Sequence, residues 1–466
     1  MRSLVSLSAL LILFAAGCAP AVRPGAVQNR EAVQRHDVVV VAPPAVVEVE
    51  PLPPTELGAI AFFDTPPRPS LRIEEESRYA WPSGLVDVRL SNDAMLVLLP
   101  NRDEPGVVRM KAFAPGGLFA EPDSARAAAR LALHLLRAAD LGPHARGMID
   151  AGLVERGASF SPYISNGEVG FVGTAPGDQV ATLFELAHLH TSGVRRLPDG
   201  LRPPDGITDG LTGAYEVALR REAPATQADA ALRYVRNAFG DLGRFTFVLV
   251  GDFDEVEIEG LAVRYLGPRS TFQNNRRAFP VADFAPAVSG IARANPAQET
   301  VRAGLQVVTS AAVTESDIAA LQLAVKLAET EMGSFPAVRD LTAEIDIGPG
   351  TESRVVTVRF LFSVQGAQSA PALQEAAAVF RRLAFYGPDV ESLRRAQNEA
   401  WRTQVPMANA AWLELLAEAY RSGAGPRLVS ERGSRQARIP ASAVRDAAAR
   451  FMSPDRIARA VAPLDE

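Results

Sequence analysis

VRLSNDAMLVLLPNRDEPGVVRMKAFAPGG, from Val88 to Gly117, is the stretch whose reading decides the fold. Just ahead of it and into it, apolar Val86, Val88 and Leu90 alternate with Asp87 and Arg89, the period of a half-buried strand. Asn92-Asp93-Ala94 supplies turn residues and Met95 to Leu99 is continuously apolar, so the spacing predicts a β-hairpin. Val107 to Ala114 predicts a third strand, ended by Pro115-Gly116-Gly117. A helix is expected next, from near Ser124 to Gly142-Pro143, with Ala127, Leu131, His134 and Leu135 on one side.

Outward from that stretch the theme repeats. Phe160 to Ile164, a Ser165-Asn166-Gly167 turn and Val169 to Gly173 predict a second hairpin, followed by an amphipathic helix from Asp178 to about His190. A helix around Ala228 to Phe239 should feed a buried strand from Phe245 to Gly251. After a loop from about Pro268 to Asn295, Thr314-Glu-Ser-Asp317 resembles a capping box and opens a helix to Met332-Gly333. Leu341 to Ile347 and Val355 to Phe362 predict another hairpin, and Ala-rich helices are expected from Pro371 to the end. Strand runs separated by helix runs argue an α+β fold, antiparallel sheets with helices packed on one face. The two halves read as a duplication of roughly 180 residues, far longer than a solenoid repeat.

Length and composition agree. A chain of 466 residues exceeds one ordinary core, so two domains are expected. Hydrophobic residues at 47% and charged residues at 22% exclude disorder for the bulk. A net charge of -6, with no run of Lys and Arg interleaved with aromatics, argues against nucleic acid as a partner. A single cysteine excludes an internal disulfide and a Cys-rich zinc site.

That cysteine, Cys18, follows an address. Arg2 supplies a positive n-region and Leu4 to Ala16 an apolar run too short to span a bilayer, which needs about 20 residues. Ala15-Ala16-Gly17-Cys18 resembles a bacterial lipobox, although the usual Leu three residues before the cysteine is Ala. Lipidation is therefore expected at Cys18, with an ordinary secretory signal and an incidental Cys18 as the alternative. Ala19 after it resembles the outer-membrane sorting pattern, which implies a lipid-anchored protein facing the periplasm. Residues 19–75, with Pro43-Pro44, Pro51, Pro53-Pro54, Pro66-Pro67 and Pro69, read as an extended tether, within which Val38 to Val41 could pair as a short strand. The expected boundaries are 1–18 signal peptide, 19–75 tether, 76–270 first domain and 271–466 second domain.

Four stretches together resemble the insulinase/pitrilysin-type zinc peptidase superfamily, and within it the non-catalytic C-terminal half of PqqL-like zinc proteases. They are Val88 to Gly117, Phe160 to Pro176, Phe245 to Asp254 with Leu261 to Pro268, and Asn409 to Leu416. The resemblance implies two similar insulinase-type domains over roughly residues 84–466. It also implies where a zinc site would lie: an H-x-x-E-H motif on the first helix, whose i and i+4 histidines grip one metal while the Glu polarises its water.

The chain's five histidines, His36, His134, His144, His188 and His190, include no pair four apart. His134 lies on the corresponding helix, but the motif would need Glu at Arg137 and His at Ala138. His188 and His190, near Glu185, point about 200° apart on a helix and cannot chelate together. The segment Leu327 to Phe335 corresponds to an Arg and Tyr substrate clamp in silent subunits of the family, and lacks both residues. No Gly-x-Ser-x-Gly is present, and Gly206 to Gly213 and Gly423-Ala-Gly425 lack a P-loop lysine. Asp252 and Asp254 read as caps of a strand-to-helix turn.

The sequence thus predicts a catalytically inactive peptidase-like lipoprotein, with no catalytic, cofactor or metal residues and lipidation at Cys18. A zinc-bearing insulinase-type subunit, or a second copy of the chain, is the expected partner in enclosing extended peptides. A peptide-binding or scaffold lipoprotein with no peptidase partner is the competing reading, and an active metallopeptidase is disfavoured because zinc sites take three or more protein ligands.

Overall fold

Alternation in VDVRL and the turn at Asp93, a non-glycine residue at φ 73°, set up the first hairpin, β2 (Val86–Leu90) against β3 (Met95–Pro100). The computed structural model describes residues 62–63, 65–118, 123–192, 194–196, 228–267, 300–348, 354–402 and 408–463. β1 (Ile73–Arg78) lies outside β2, and β4 (Val107–Pro115) continues the sheet. α1 (Asp123–Ala138), β5 (Asp140–Leu141) and α2 (Arg146–Glu155) precede the second hairpin, β6 (Ser159–Ile164) and β7 (Glu168–Pro176). α3 (Ala181–Ser192), β8 (Val194–Arg196), α4 (Ala228–Phe239), β9 (Thr246–Gly251) and α5 (Glu255–Tyr265) follow.

The first sheet has the order β1-β2-β3-β9-β4-β7-β6. β4 does not sit beside β3, as the sequence order suggests, because the apolar β9 inserts between them, parallel to β3 and antiparallel to β4. Every other pairing in that sheet is antiparallel. Its inward residues, among them Val88, Leu96, Met110, Phe171 and Phe247, pack against α1, α3, α4 and α5 in one continuous core. Burying such side chains stabilises by about 1.5–3 kcal/mol each.

The second sheet is built from β10 (Thr300–Ala311), β11 (Arg339–Ile347), β12 (Arg354–Gln365) and β13 (Ala458–Pro463), in the order β11-β12-β10-β13, all antiparallel. Helix α6 (Glu315–Met332) starts on the expected capping box, with the Thr314 and Asp317 side chains each serving the other's backbone. With α7 (Ser369–Tyr386), α8 (Val390–Arg402) and α11 (Ala441–Phe451) it covers one face of the sheet and forms a second core. The central strand β10 was not expected from the sequence, since Ala303 and Gly304 thin its alternation. Helices do not run to the end either: β13 closes the sheet beside β10.

Two helices of the second half serve the first sheet instead. α9 (Asn409–Arg421) and α10 (Pro426–Gln436) set Trp412, Leu413, Leu416, Leu428 and Val429 against Leu85, Val97, Leu99, Phe113, Val248 and Val250, the face opposite the first core. Gly58–Glu466 accordingly forms one compact unit. Its start differs from the expected tether end: Phe62 is buried, Leu71 is buried, and β1 opens at Ile73. Cys18, His36, Val38 to Val41, the 206–213 glycines and the whole of the expected 268–295 loop lie outside the described residues.

Candidate functional site

The described residues gather their buried charge where the two halves meet. α9 is placed there by its apolar face, which must cover the second side of the first sheet, and this carries Arg421, at its C-terminal end, to the β6–β7 hairpin. Arg421 forms a two-pronged ion pair with Glu168 of β7, Nε to Oε2 at 2.6 Å and Nη2 to Oε1 at 2.9 Å. Tyr163 of β6 donates to Glu168 Oε1 at 2.8 Å, and the guanidinium lies 5.2 Å from the centre of the Phe113 ring. Burial alone would lower the Arg421 pKa, but the Glu168 carboxylate outweighs it and leaves the guanidinium firmly charged. Burial, then Glu168, pushes the Tyr163 phenol well up, so it stays a hydrogen-bond donor.

The second half adds its own strand ends. Asp346 of β11 reaches Ser165 in the β6–β7 turn, and burial followed by the nearby Glu168 charge raises its pKa. Asn166 donates to Thr357 Oγ1 of β12 at 2.8 Å. At the centre, Gly167 and Gly348 meet backbone to backbone: a Cβ on Gly167 would lie 2.5 Å from the Gly348 Cα. Only glycine allows that approach.

One residue before Arg421, Tyr420 of α9 donates to Asp87 of β2, and so does Tyr79, which follows β1, at 2.9 Å. Burial raises the Asp87 pKa against the pull of these two hydrogen bonds. Lys111 pairs with Glu414 at 2.6 Å, and Glu104, held by Arg109 at 2.9 Å, accepts from the Asn409 backbone N–H at the start of α9 at 2.8 Å. Glu168 and Arg421 are thus committed to each other. Their chemistry is that of a lock between halves, because breaking a buried pair leaves an uncompensated charge, worth about 3–5 kcal/mol.

The histidines singled out in the sequence do not come together. His134 lies on α1, with its side chain outside the described residues. His144 Nε2 meets the Phe62 carbonyl at 2.8 Å. His188 Nδ1 meets the Tyr265 carbonyl at 2.7 Å, whereas His190 turns the other way, buried against Phe160 and Phe171 with Nδ1 on the Leu186 carbonyl at 2.8 Å. Burial pulls His190 down to about 4, so the ring is neutral. Glu185 is taken by Arg156 at 3.4 Å and by the Tyr265 hydroxyl at 3.2 Å. Among the described residues no three His, Cys, Asp or Glu side chains converge as a metal site would need.

In the segment matching the clamp, Leu327 and Ala328 are buried, Glu331 pairs with Arg382 and Phe335 packs against the second core. Asp254 caps α5, accepting from the Glu257 N–H at 3.0 Å, as expected. Asp252 does not cap; it accepts from the Gly106 N–H at 3.1 Å and pairs with Arg102, closing the β3–β4 loop. Gly423 and Gly425 form the turn between α9 and α10, at φ 76° and 58°.

No family model matches the sequence, and no curated protein matches it. Solved structures match its shape. The periplasmic protease PqqL from Escherichia coli superposes with a TM-score of 0.59 at 15% identity, over 87% of this chain and 48% of that one. A peptidase M16 inactive domain from Pseudomonas fluorescens does so at 0.53 and 14%, over 82% of this chain and 98% of that one. Pitrilysin matches at 0.52 and 13%, over 85% and 47%. The chain therefore has the insulinase/pitrilysin-type fold that its sequence resembles, and it spans about half the length of PqqL.

Proposed function

We propose that this chain is a non-catalytic, peptidase-like half that pairs with a zinc-bearing subunit of the same fold to enclose extended peptides. The observation that carries the reading is the match, over 98% of its length, to a structure described as an inactive peptidase M16 domain, together with a span of about half of PqqL. The sequence adds that no H-x-x-E-H motif is present. An internal lock such as Glu168 with Arg421 suits a wall that must hold its shape while another subunit closes on it. Cys18, if acylated, would tether this wall to a membrane, in keeping with an outer-membrane lipoprotein facing the periplasm. A binding or scaffold lipoprotein without a peptidase partner uses the same fold and is separated by the same experiment.

The test is co-purification of the tagged chain from gently solubilised membranes, with peptide hydrolysis measured before and after mixing with any zinc-bearing homologue recovered. Recovery of such a homologue and a rise in its activity supports the pairing. The chain recovered alone, with no effect on activity, sinks it in favour of the scaffold reading.

A further inference from the structure

The turn between α7 and α8 carries three large apolar side chains that nothing in the described structure covers; of the two exposed carboxylates flanking Val390, Asp389 caps α8 and Glu391 is paired with Arg395 at 2.7 Å. Phe385, Tyr386 and Val390 are 71%, 85% and 72% exposed, three of the most exposed large apolar side chains in the described chain, within six residues of one another. The turn that presents them is tight. Gly387, at φ 74°, ends α7 against Arg445 and the Ala441 carbonyl, and Asp389 accepts from the Ser392 N–H at 2.9 Å to start α8.

One helical turn behind the tip lies a set of arginines. Arg381 and Arg382 stand four residues before Phe385 and Tyr386, and Arg394 stands four after Val390, so each shares a helix face with a tip residue. Arg382 is paired with Glu331, whereas Arg381 and Arg394 are exposed and have no ion pair among the described residues.

We propose that this tip dips into the interface of a membrane bearing anionic phospholipid, with Phe385, Tyr386 and Val390 among the acyl chains and Arg381 and Arg394 at the headgroups. Size favours lipid over protein. Three side chains of this kind offer on the order of 400 Å², about half of the roughly 800 Å² that each partner gives to a stable protein interface. A projecting wedge needs no matching surface in a bilayer, and aromatic residues flanked by free guanidiniums suit its boundary. The inference does not depend on peptidase pairing.

The full chain carrying Cys18→Ser has no other cysteine, so Val390→Cys gives one site for an environment-sensitive dye. The readout is at the tip, and any hold of the N-terminal segment on vesicles is common to all forms compared. On vesicles of phosphatidylethanolamine with about 30% phosphatidylglycerol, a composition in which basic residues bind through charge, the dye should brighten, shift to the blue and be quenched by brominated acyl chains. Phe385→Ser with Tyr386→Ser should lower partitioning by at least about tenfold. Arg381→Gln or Arg394→Gln should each lower it about fivefold on anionic vesicles and not on neutral ones. These side chains support no core, so folding should be unchanged. Unchanged dye emission on every vesicle overturns the proposal, as does a concentration-dependent dimer in sedimentation that Phe385→Ser abolishes, which would make a second copy the occupant.

Discussion

His190 shows how one buried side chain ties stability to pH. Its ring is sealed between Phe160 and Phe171, and its Nε2 has no hydrogen-bond partner among the described residues, so protonating it in the folded chain means burying a charge unpaired by them. An unfolded histidine takes its proton near pH 6.5, while burial holds His190 at about 4. Between those values the unfolded chain binds more protons, so the stabilising contribution is complete above pH 6.5, falls as the pH drops through the window, and changes no further below 4. The loss amounts to about 3 kcal/mol. His190→Leu should lack it. Urea unfolding of both forms from pH 7 to pH 4 should therefore show the wild type losing about 3 kcal/mol relative to the variant; parallel curves would count against the account. Other buried groups, such as Asp87 and Asp346, titrate in both forms and cancel in the comparison.

At the scale of elements, the three hairpins and most helices were legible because each carries its own period and punctuation, whereas β10, with Ala303 and Gly304 thinning its alternation, and the closing strand β13 were not. What covers the sheet was not. Alternation in VDVRL marks Asp87 as facing away from the first core, which for an isolated sheet means water, yet Tyr420, 333 residues later, meets it there. Glu168, Tyr163 and Arg421 were missed as a site for the same reason: local pattern states which side a residue faces and is silent about a helix arriving from the other half. The one local signal was Gly167, which reads as turn chemistry and proves to be a close approach. A Cβ there would lie 2.5 Å from the backbone of Gly348, where no flexible side chain can yield. Gly167→Ala should thus cost about 1–3 kcal/mol by overpacking, more than the roughly 0.4–1 kcal/mol it gains by restricting the unfolded chain. Gly147→Ala is the control, since nothing lies within 4 Å of the added carbon. Thermal and urea unfolding should place the two variants on opposite sides of wild type; equal stability would mean that the hairpins do not bear on each other.

For the molecule as a whole, the end of the proline-rich segment belongs to the folded body. Phe62 is 2% exposed, with the Arg156 guanidinium 4.3 Å from its ring centre and its carbonyl on His144. Phe63 packs its ring on His188 and Tyr265, each at 5.6 Å, and the Ser70 and Leu71 N–H groups share the Val263 carbonyl at 3.2 and 3.4 Å. His144, and His188 from the pair that the sequence sets near Glu185, are thereby accounted for as anchors of this strap. Proline content hid it, because extended chain and tether have the same composition, and the difference lies in whether Phe62 finds a pocket. A chain begun at residue 72 would open that pocket, exposing Arg156 and Glu185 to water and leaving a cavity in the first core. Emptying a buried Phe site costs about 3–5 kcal/mol. The chain begun at Gly58 should consequently unfold at higher urea than one begun at residue 72, and Phe62→Ala in the longer chain should reproduce most of that loss. If both lengths unfold at the same midpoint, the strap lies on the body without holding it, and any pull from an anchored N-terminus would be felt at Ile73.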